Sequence, residues 1–130
     1  MRILLFFFMF FSLTTYSQNL PAGKGRIKLG VEQFIEKHLD MVKGKSIGII
    51  TNHTGVLPDG SHLVDVLHAI PETKIKALFG PEHGIRGDAP DGKSLSHGTD
   101  EKTGLQVYSL YGQGVYKPTP EMLKDIDVLI

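Results

Sequence analysis

The chain has no cysteine among its 130 residues. This absence excludes disulfides, a thiol-linked lipid anchor and cysteine-ligated metal sites. An excess of one charge is also missing, because 14 lysines and arginines balance 14 aspartates and glutamates. Nucleic-acid binders usually carry a basic stripe, whereas the lysines here are scattered among acids, and so we expect no nucleic acid as a partner. No apolar run in the sequence is long enough to cross a bilayer as a helix.

The first 17 residues have the composition of an export signal. Arg2 gives a basic start, residues 3–13 are apolar with one exception, and residues 15–17 place small side chains where a signal peptidase reads. We expect cleavage before Gln18, so that the mature domain spans residues 18–130 and is periplasmic or secreted, without stable insertion in the membrane. Removal of this segment leaves 13 basic and 14 acidic side chains, a net charge of −1.

The remaining sequence alternates between helical and extended patterns. Apolar residues recur at helical spacing in two segments, four short apolar runs indicate strands, and a Thr-Pro pair begins a third, short helix. Such alternation favours an α/β fold with a parallel sheet, right-handed crossovers and flanking helices. The chain ends inside the fourth strand, and its length suits one small domain or part of a larger one. The predicted helices are 31–42, 63–70 and 119–124, and the predicted strands are Ser46–Ile50, 75–79, 105–110 and 126–130.

A glycine-rich motif follows the second predicted strand. Glu82, His83, Arg86 and Asp88 lie among three glycines directly after an apolar run. Open α/β sheets bind their ligands beyond the carboxyl ends of the strands. The loop over 80–104 has 25 residues and six glycines, and loops longer than about 12–15 residues are usually functional or disordered. We therefore expect a binding site in this loop.

Asn52 and His53 follow the first predicted strand, which is joined to the second in a βαβ unit. Both loops then lie at one edge of the sheet, and amide and imidazole groups suit a polar ligand. The alternatives are that a histidine in such a turn only satisfies local backbone groups, and that Asn52-His53-Thr54 is a glycosylation sequon.

Four longer sequence blocks follow one another in a fixed order, over residues 44–55, 77–88, 107–112 and 117–123. In that order they resemble the amino-terminal part of the NamZ-like exo-β-N-acetylmuramidases, glycoside hydrolase family 171, formerly a domain of unknown function. The resemblance covers nearly all of the mature chain. It implies a Rossmann-like catalytic domain followed by a smaller domain, with the active site in the cleft between them.

The resemblance also implies an activity, the release of N-acetylmuramic acid from the non-reducing ends of peptidoglycan fragments. The expected ligands are muramic acid–glucosamine saccharides, and no cofactor is implied. Because the chain stops at Ile130, before the remaining strands and the second domain, we expect residues 18–130 to be an incomplete catalytic domain that by itself lacks part of the pocket.

Glu82 is the predicted general acid/base, because glycoside cleavage needs a proton delivered to the leaving oxygen. The positive charges of His83 and Arg86 would oppose a protonated carboxyl group, and so the assignment requires burial against neighbouring apolar residues. His83 is predicted to orient Glu82 or to hydrogen-bond a sugar hydroxyl. The alternative for Glu82 is a surface ion pair with Arg86 or Lys93, and the resemblance favours catalysis.

Arg86 is the predicted reader of the ligand's carboxylate, since its planar guanidinium matches the lactyl group that distinguishes muramic acid from glucosamine. The alternative is that Arg86 folds back onto Asp88 or Asp91 and stiffens the loop. Asp88 is itself a predicted substrate-binding residue.

The second catalytic group is open at this point. Retaining and inverting glycosidases ordinarily use a second carboxylate, and Asp88, Asp91 and Asp100 are the candidates within the chain. The substrate's own acetamido group or a residue beyond Ile130 would also serve.

Two other function classes compete with a glycosidase. A non-catalytic peptidoglycan- or sugar-binding module would use the same loops without a proton donor. A metal hydrolase built on His83, Asp88 and His97 fits no established metal motif, and we expect no metal.

The export signal gives the first testable prediction. Mass spectrometry of the protein recovered from the periplasm or medium of an expressing bacterium should show a chain that begins at Gln18. A charged replacement in the apolar run, such as Phe8→Asp, should keep the precursor inside the cell. An exported chain that still begins at Met1 would contradict the assignment.

Overall fold

The computed structural model describes residues 27–87, 96–112 and 115–130. The predicted export signal, Gln18 and the segment containing Asp88 and Asp91 lie outside these residues. Two helices, one 3-10 turn and five strands are present in the described part: α1 Gly30–Lys37, the 3-10 turn Leu39–Met41, β1 Ser46–Ile50, α2 Leu63–His68, β2 Lys74–Gly80, β3 Gly98–Thr99, β4 Gln106–Ser109 and β5 Val128–Leu129. No helix among the described residues is long and apolar enough to span a membrane.

The five strands form one sheet in the order β3-β4-β2-β1-β5. The pairs β1–β2, β2–β4 and β1–β5 are parallel, and β3 pairs with β4 in the antiparallel direction. This is the predicted α/β, Rossmann-like arrangement of a mostly parallel sheet with flanking helices. The strand β3 was not predicted, because its two residues lie within the long glycine-rich loop and carry no apolar pattern.

The two central strands make the core. Ile47 and Ile49 of β1 and Leu78 and Phe79 of β2 are fully buried. Their continuous apolar runs fit central parallel strands, which are covered on both faces. The helix α2 packs on this sheet through Val64 and Leu67, both fully buried. Strand β2 therefore delivers the glycine-rich motif from a rigid position.

Helix α2 ends at His68, two residues before its predicted end, and the other two predicted helices differ more from the structure. The predicted helix 31–42 ends as α-helix at Lys37, because His38 leaves helical geometry at φ −130°, and the 3-10 turn continues the chain. The predicted helix 119–124 is a series of turns. One bond joins the amide of Leu123 to the carbonyl of Thr119, four residues back, and the next joins Lys124 to Glu121, three residues back. So short a segment cannot offset the cost of helix nucleation.

Gly48, in the middle of β1, provides a test of the packing between the central strands. An added Cβ atom there would lie 2.8 Å from Leu129 Cδ2 and 2.9 Å from Phe79 Cε2. Gly48→Ala should therefore lower the free energy of unfolding by about 2 kcal/mol, as overpacking of a filled core does, measured as a shift of the urea midpoint. Gly30→Ala is the matched control, because no atom lies within 4 Å of its added Cβ. Equal midpoints for the two variants would contradict this packing.

Candidate functional site

The two predicted loops meet at the carboxyl edge of the sheet. Asn52 and His53 follow β1, and the segment 81–87 follows β2. The imidazole rings of His53 and His83 lie with centroids 5.7 Å apart and nearly perpendicular. Gly87 lies directly against His53, since an added Cβ at Gly87 would be 2.8 Å from His53 Cβ. The structure thus brings the predicted residues Asn52, His53, Glu82 and His83 into one region.

The turn that carries Glu82 and His83 has an unusual backbone. Its closing hydrogen bond runs from the Gly84 amide to the Pro81 carbonyl at 3.1 Å. His83 has φ +71° and Gly84 has φ +73°. Left-handed geometry costs a non-glycine residue roughly 1–2 kcal/mol, and such strain persists only where the surroundings hold it. Glu82 and His83 are both half-buried here.

Ile85 anchors the turn to the hydrophobic core. Its side chain is 4% exposed and belongs to the buried cluster with Ile49, Val64, Leu67 and Leu78. The loop is therefore tied to the hydrophobic core one residue before Arg86.

Arg86 is held between two carboxylates. Its Nη1 and Nη2 donate to Asp65 Oδ2 and Oδ1 at 3.1 and 2.8 Å, and its Nε and Nη2 donate to Asp100 Oδ1 and Oδ2 at 2.8 Å each. Lys102 Nζ also donates to Asp65 Oδ2 at 2.7 Å. The Asp100 side chain is 3% exposed, and those of Asp65 and Arg86 are 19% and 26% exposed. We call these four residues, Asp65, Arg86, Asp100 and Lys102, the ion-pair cluster.

The cluster keeps its groups charged. Hydrogen bonding from Arg86, opposed in part by burial, holds the pKa of Asp100 far below its ordinary value. Burial raises the pKa of Asp65, but hydrogen bonds from Arg86 and Lys102 outweigh it, and the net shift is downward. Hydrogen bonding to Asp100 in turn raises the pKa of the Arg86 guanidinium. Fully ionised partners make these hydrogen bonds short and strong.

This geometry changes the interpretation of Arg86. Four hydrogen bonds of its guanidinium go to carboxylates of the chain itself. The arrangement favours the alternative in which Arg86 stiffens the loop, with Asp65 and Asp100 as the partners. Asp88 and Asp91, the partners named from the sequence, lie outside the described residues, and ligand binding by Arg86 and Asp88 stays a prediction.

Asp100 is poorly suited to be the second catalytic carboxylate. Besides the two bonds from Arg86, its Oδ2 accepts from the Thr103 amide at 3.1 Å and from Thr103 Oγ1 at 2.6 Å. A carboxylate stabilised by four hydrogen bonds is a weak base and a weak nucleophile. Its role is to fix Arg86.

Asn52 is shaped by its own turn. Its side-chain Oδ1 accepts from the Thr54 amide at 3.0 Å and from Thr54 Oγ1 at 2.7 Å. Asn52 thus satisfies polar groups of its own turn, a role not foreseen from the sequence, while hydrogen bonding of a ligand by Asn52 and His53 stays a prediction.

His62 has a role that the sequence reasoning missed. It precedes α2 as the N-cap, and its Nδ1 accepts from the Val64 amide at 3.3 Å. Its Nε2 therefore carries the proton and donates to the Asn52 carbonyl at 2.9 Å. Histidine is not a usual N-cap residue. The only sign in the sequence that His62 caps the helix is its position just before an apolar helical face.

A cavity of about 510 Å³ opens beside the ion-pair cluster, within the size range of ligand pockets, about 300–1,000 Å³. Among the described residues, its walls include Gly80, Gly84, Arg86, Asp100 and Lys102, together with Glu101, His97 and Ser109. Of the predicted site residues in the described part, Arg86 is the one on this wall. Glu82, His83, Asn52 and His53 are not among the described lining residues.

His97 is fixed at the far wall of the cavity. Its Nδ1 accepts from the Ser109 amide at 3.0 Å, and its ring meets the Tyr108 ring edge-on at 5.4 Å. The sequence offered no pattern for this contact, because it joins the long loop to β4. In residues 27–87, 96–112 and 115–130, no group of three His, Cys, Asp or Glu side chains is arranged to hold a metal ion.

The ion-pair cluster predicts a loss of stability in acid. The pKa values of Asp65 and Asp100 are lowered in the folded state. The ionised carboxylates therefore stabilise the fold fully above the ordinary carboxyl pKa of about 3.9, and this contribution is lost as the pH falls below that value.

Asp100→Asn should lower the free energy of unfolding at pH 7 by about 3 kcal/mol. In this variant the free energy of unfolding should also fall less steeply than in wild type between pH 5 and 3, as measured by urea titration. Asp59→Asn, an exposed turn residue bonded to Ser61, is the control and should change stability less. Identical pH profiles for wild type and Asp100→Asn would contradict the cluster's role.

Comparisons with known proteins agree with this architecture. Residues 47–130 match the family model described as exo-beta-N-acetylmuramidase NamZ, N-terminal. The peptidoglycan beta-N-acetylmuramidase NamZ of Bacillus subtilis (strain 168) is 47% identical over 114 residues, which cover 88% of this chain and 27% of that protein.

Two crystal structures of DUF1343 family proteins from Bacteroides fragilis NCTC 9343 are also similar. One has a TM-score of 0.69 and 49% identity, covering 78% of this chain and 24% of that chain. The other has a TM-score of 0.58 and 34% identity, covering 77% of this chain and 23% of that chain. The chain thus spans about a quarter of the length of each relative. By sequence and by fold, the chain belongs to the NamZ exo-β-N-acetylmuramidase family and corresponds to its amino-terminal part.

Proposed function

We propose that this chain supplies the catalytic loop of an exo-β-N-acetylmuramidase, which hydrolyses the glycosidic bond of N-acetylmuramic acid at the non-reducing ends of peptidoglycan fragments. The observation that carries the proposal is the strained, anchored turn with Glu82 and His83 at the carboxyl end of β2, in a chain 47% identical to a peptidoglycan beta-N-acetylmuramidase. Strained backbone of this kind clusters at functional sites.

Glu82 is the proposed proton donor to the glycosidic oxygen. It is half-buried in the strained turn after β2. The positive charge of Arg86, which counts against this role in the sequence, is matched in the structure by the carboxylates of Asp65 and Asp100. His83 is the proposed partner that orients Glu82 or binds a sugar hydroxyl.

The cavity beside the cluster is the proposed site for part of a muramic acid–glucosamine saccharide. Two cations line it, and they differ in availability. Arg86 is engaged by two carboxylates, whereas the Lys102 side chain is 67% exposed and contacts Asp65 through one of its three donors. We therefore assign the lactyl carboxylate to Lys102. If Lys102→Met weakens binding of muramic and glucosamine saccharides equally, this assignment is wrong.

Export is the remaining part of the proposal. Peptidoglycan lies outside the cytoplasmic membrane, and the composition of residues 1–17 suits a signal peptide. We propose a periplasmic or secreted location.

Glu82→Gln tests the proposed function. The variant should be made in the chain itself and in a chimera in which the chain replaces the matching segment of the Bacillus subtilis relative. Release of muramic acid from a muramic acid–glucosamine disaccharide should fall at least about 100-fold, the usual contribution of a general acid, while the dissociation constant measured by calorimetry stays within about twofold.

Glu72→Gln is the matched control, because Glu72 is exposed and precedes β2 at the opposite edge of the sheet. Activity in the chimera and not in the chain alone would show that the chain holds part of the site. Saccharide binding without release in any form of the chimera would favour the binding module, provided that the unmodified relative is active in the same assay.

A further inference from the structure

The first turn of α2 contacts both loops of the candidate site. His62, just before the helix, donates to the Asn52 carbonyl, and Asp65, in the helix, accepts two hydrogen bonds from Arg86. The helix itself is fixed, because Val64 and Leu67 are fully buried against the sheet. One rigid element therefore sets the position of both loops.

The loop after β2 needs such an external support. His83, Gly84 and Gly87 all have positive φ, between +71° and +77°. A backbone with three such residues in five is not stabilised by repetitive local hydrogen bonding. The buried side chain of Ile85 fixes this segment to the hydrophobic core, and Arg86 fixes it to Asp65 and Asp100.

Asp65 differs from Asp100 in one informative way. Both accept two hydrogen bonds from Arg86, but Asp100 is part of the cavity wall and Asp65 is not among the described lining residues. An effect of Asp100 on a reaction would mix ligand contact with support of the loop. An effect of Asp65 has to pass through Arg86 or Lys102.

We propose that Asp65 is a positioning residue for the Glu82–His83 turn, acting through the guanidinium of Arg86, which lies four residues after Glu82. The inference rests on the proposed function for its kinetic consequence, but its structural part stands alone. The paired contact restrains the guanidinium in direction as well as in distance. A displacement of about 1 Å at a reacting group costs up to about 100-fold in rate, so a loosened turn is expected to lower kcat more than it raises KM.

The kinetic test uses Asp65→Asn in the chimera. This variant keeps the shape of the side chain but removes its charge and one acceptor oxygen. The expected result is a fall in kcat of about 10-fold or more with a change in KM below about threefold, since ordering of the reacting groups affects the transition state. Asp65→Glu should recover part of the kcat, because it restores the carboxylate.

Gly48→Ala is the matched control for stability. It is expected to destabilise the sheet without touching the cluster, and its kcat per folded molecule should match wild type. If kcat falls equally in Gly48→Ala and Asp65→Asn, or if KM alone changes in Asp65→Asn, the positioning role is wrong. A selective rise in KM would assign Asp65 to ligand binding through Arg86 or Lys102, which both line the cavity.

Hydrogen exchange of the whole chain tests the structural part without any activity. Amides of residues 82–87 should exchange at least about fivefold faster in Asp65→Asn than in wild type, whereas those of Leu63–His68 should keep their protection. Unchanged exchange over 82–87 overturns the proposal. If the wild-type chimera releases no muramic acid, the proposed function fails, and exchange still decides the role of Asp65.

Discussion

The site region depends on one guanidinium that is shared by two carboxylates. Arg86 joins α2, the loop after β2 and the turn after β3, three segments that are far apart in the sequence. Two ionised carboxylates of the protein balance its positive charge. Their hydrogen bonds therefore offset the loss of hydration that partial burial of the guanidinium causes. The nearby turn can then keep the left-handed geometry of His83, which its own backbone would not maintain.

The sequence was sufficient for the central architecture. Strands β1 and β2 appear as short apolar runs because most of their residues are buried, the partly buried β4 is marked by a weaker mixed pattern, and the glycine-rich motif follows β2 at the predicted edge. The antiparallel β3 has only two residues, and the segment after Thr119 forms turns, so neither gave a reliable pattern. Local propensity does not determine elements of that length.

The cluster itself was beyond sequence reasoning. Asp65 lies 21 residues before Arg86 and Asp100 lies 14 residues after it. Acids close to Arg86 in the sequence were the expected partners, because separation along the chain is the only distance that a sequence provides. The packing of α2 on β1 and β2 brings Asp65 to the motif, and the pairing of β3 with β4 brings Asp100.

The contact between Gly87 and His53 places two separate demands on one residue. The backbone there has φ +77°, and the space for a Cβ atom is already occupied by the imidazole of the neighbouring loop. Any other L-residue would strain its own backbone and would also displace His53. A single compensating change elsewhere could relieve the crowding but not the strain. The close approach of the two loops thus requires a residue without a side chain at position 87. No single substitution elsewhere would allow another residue to replace this glycine.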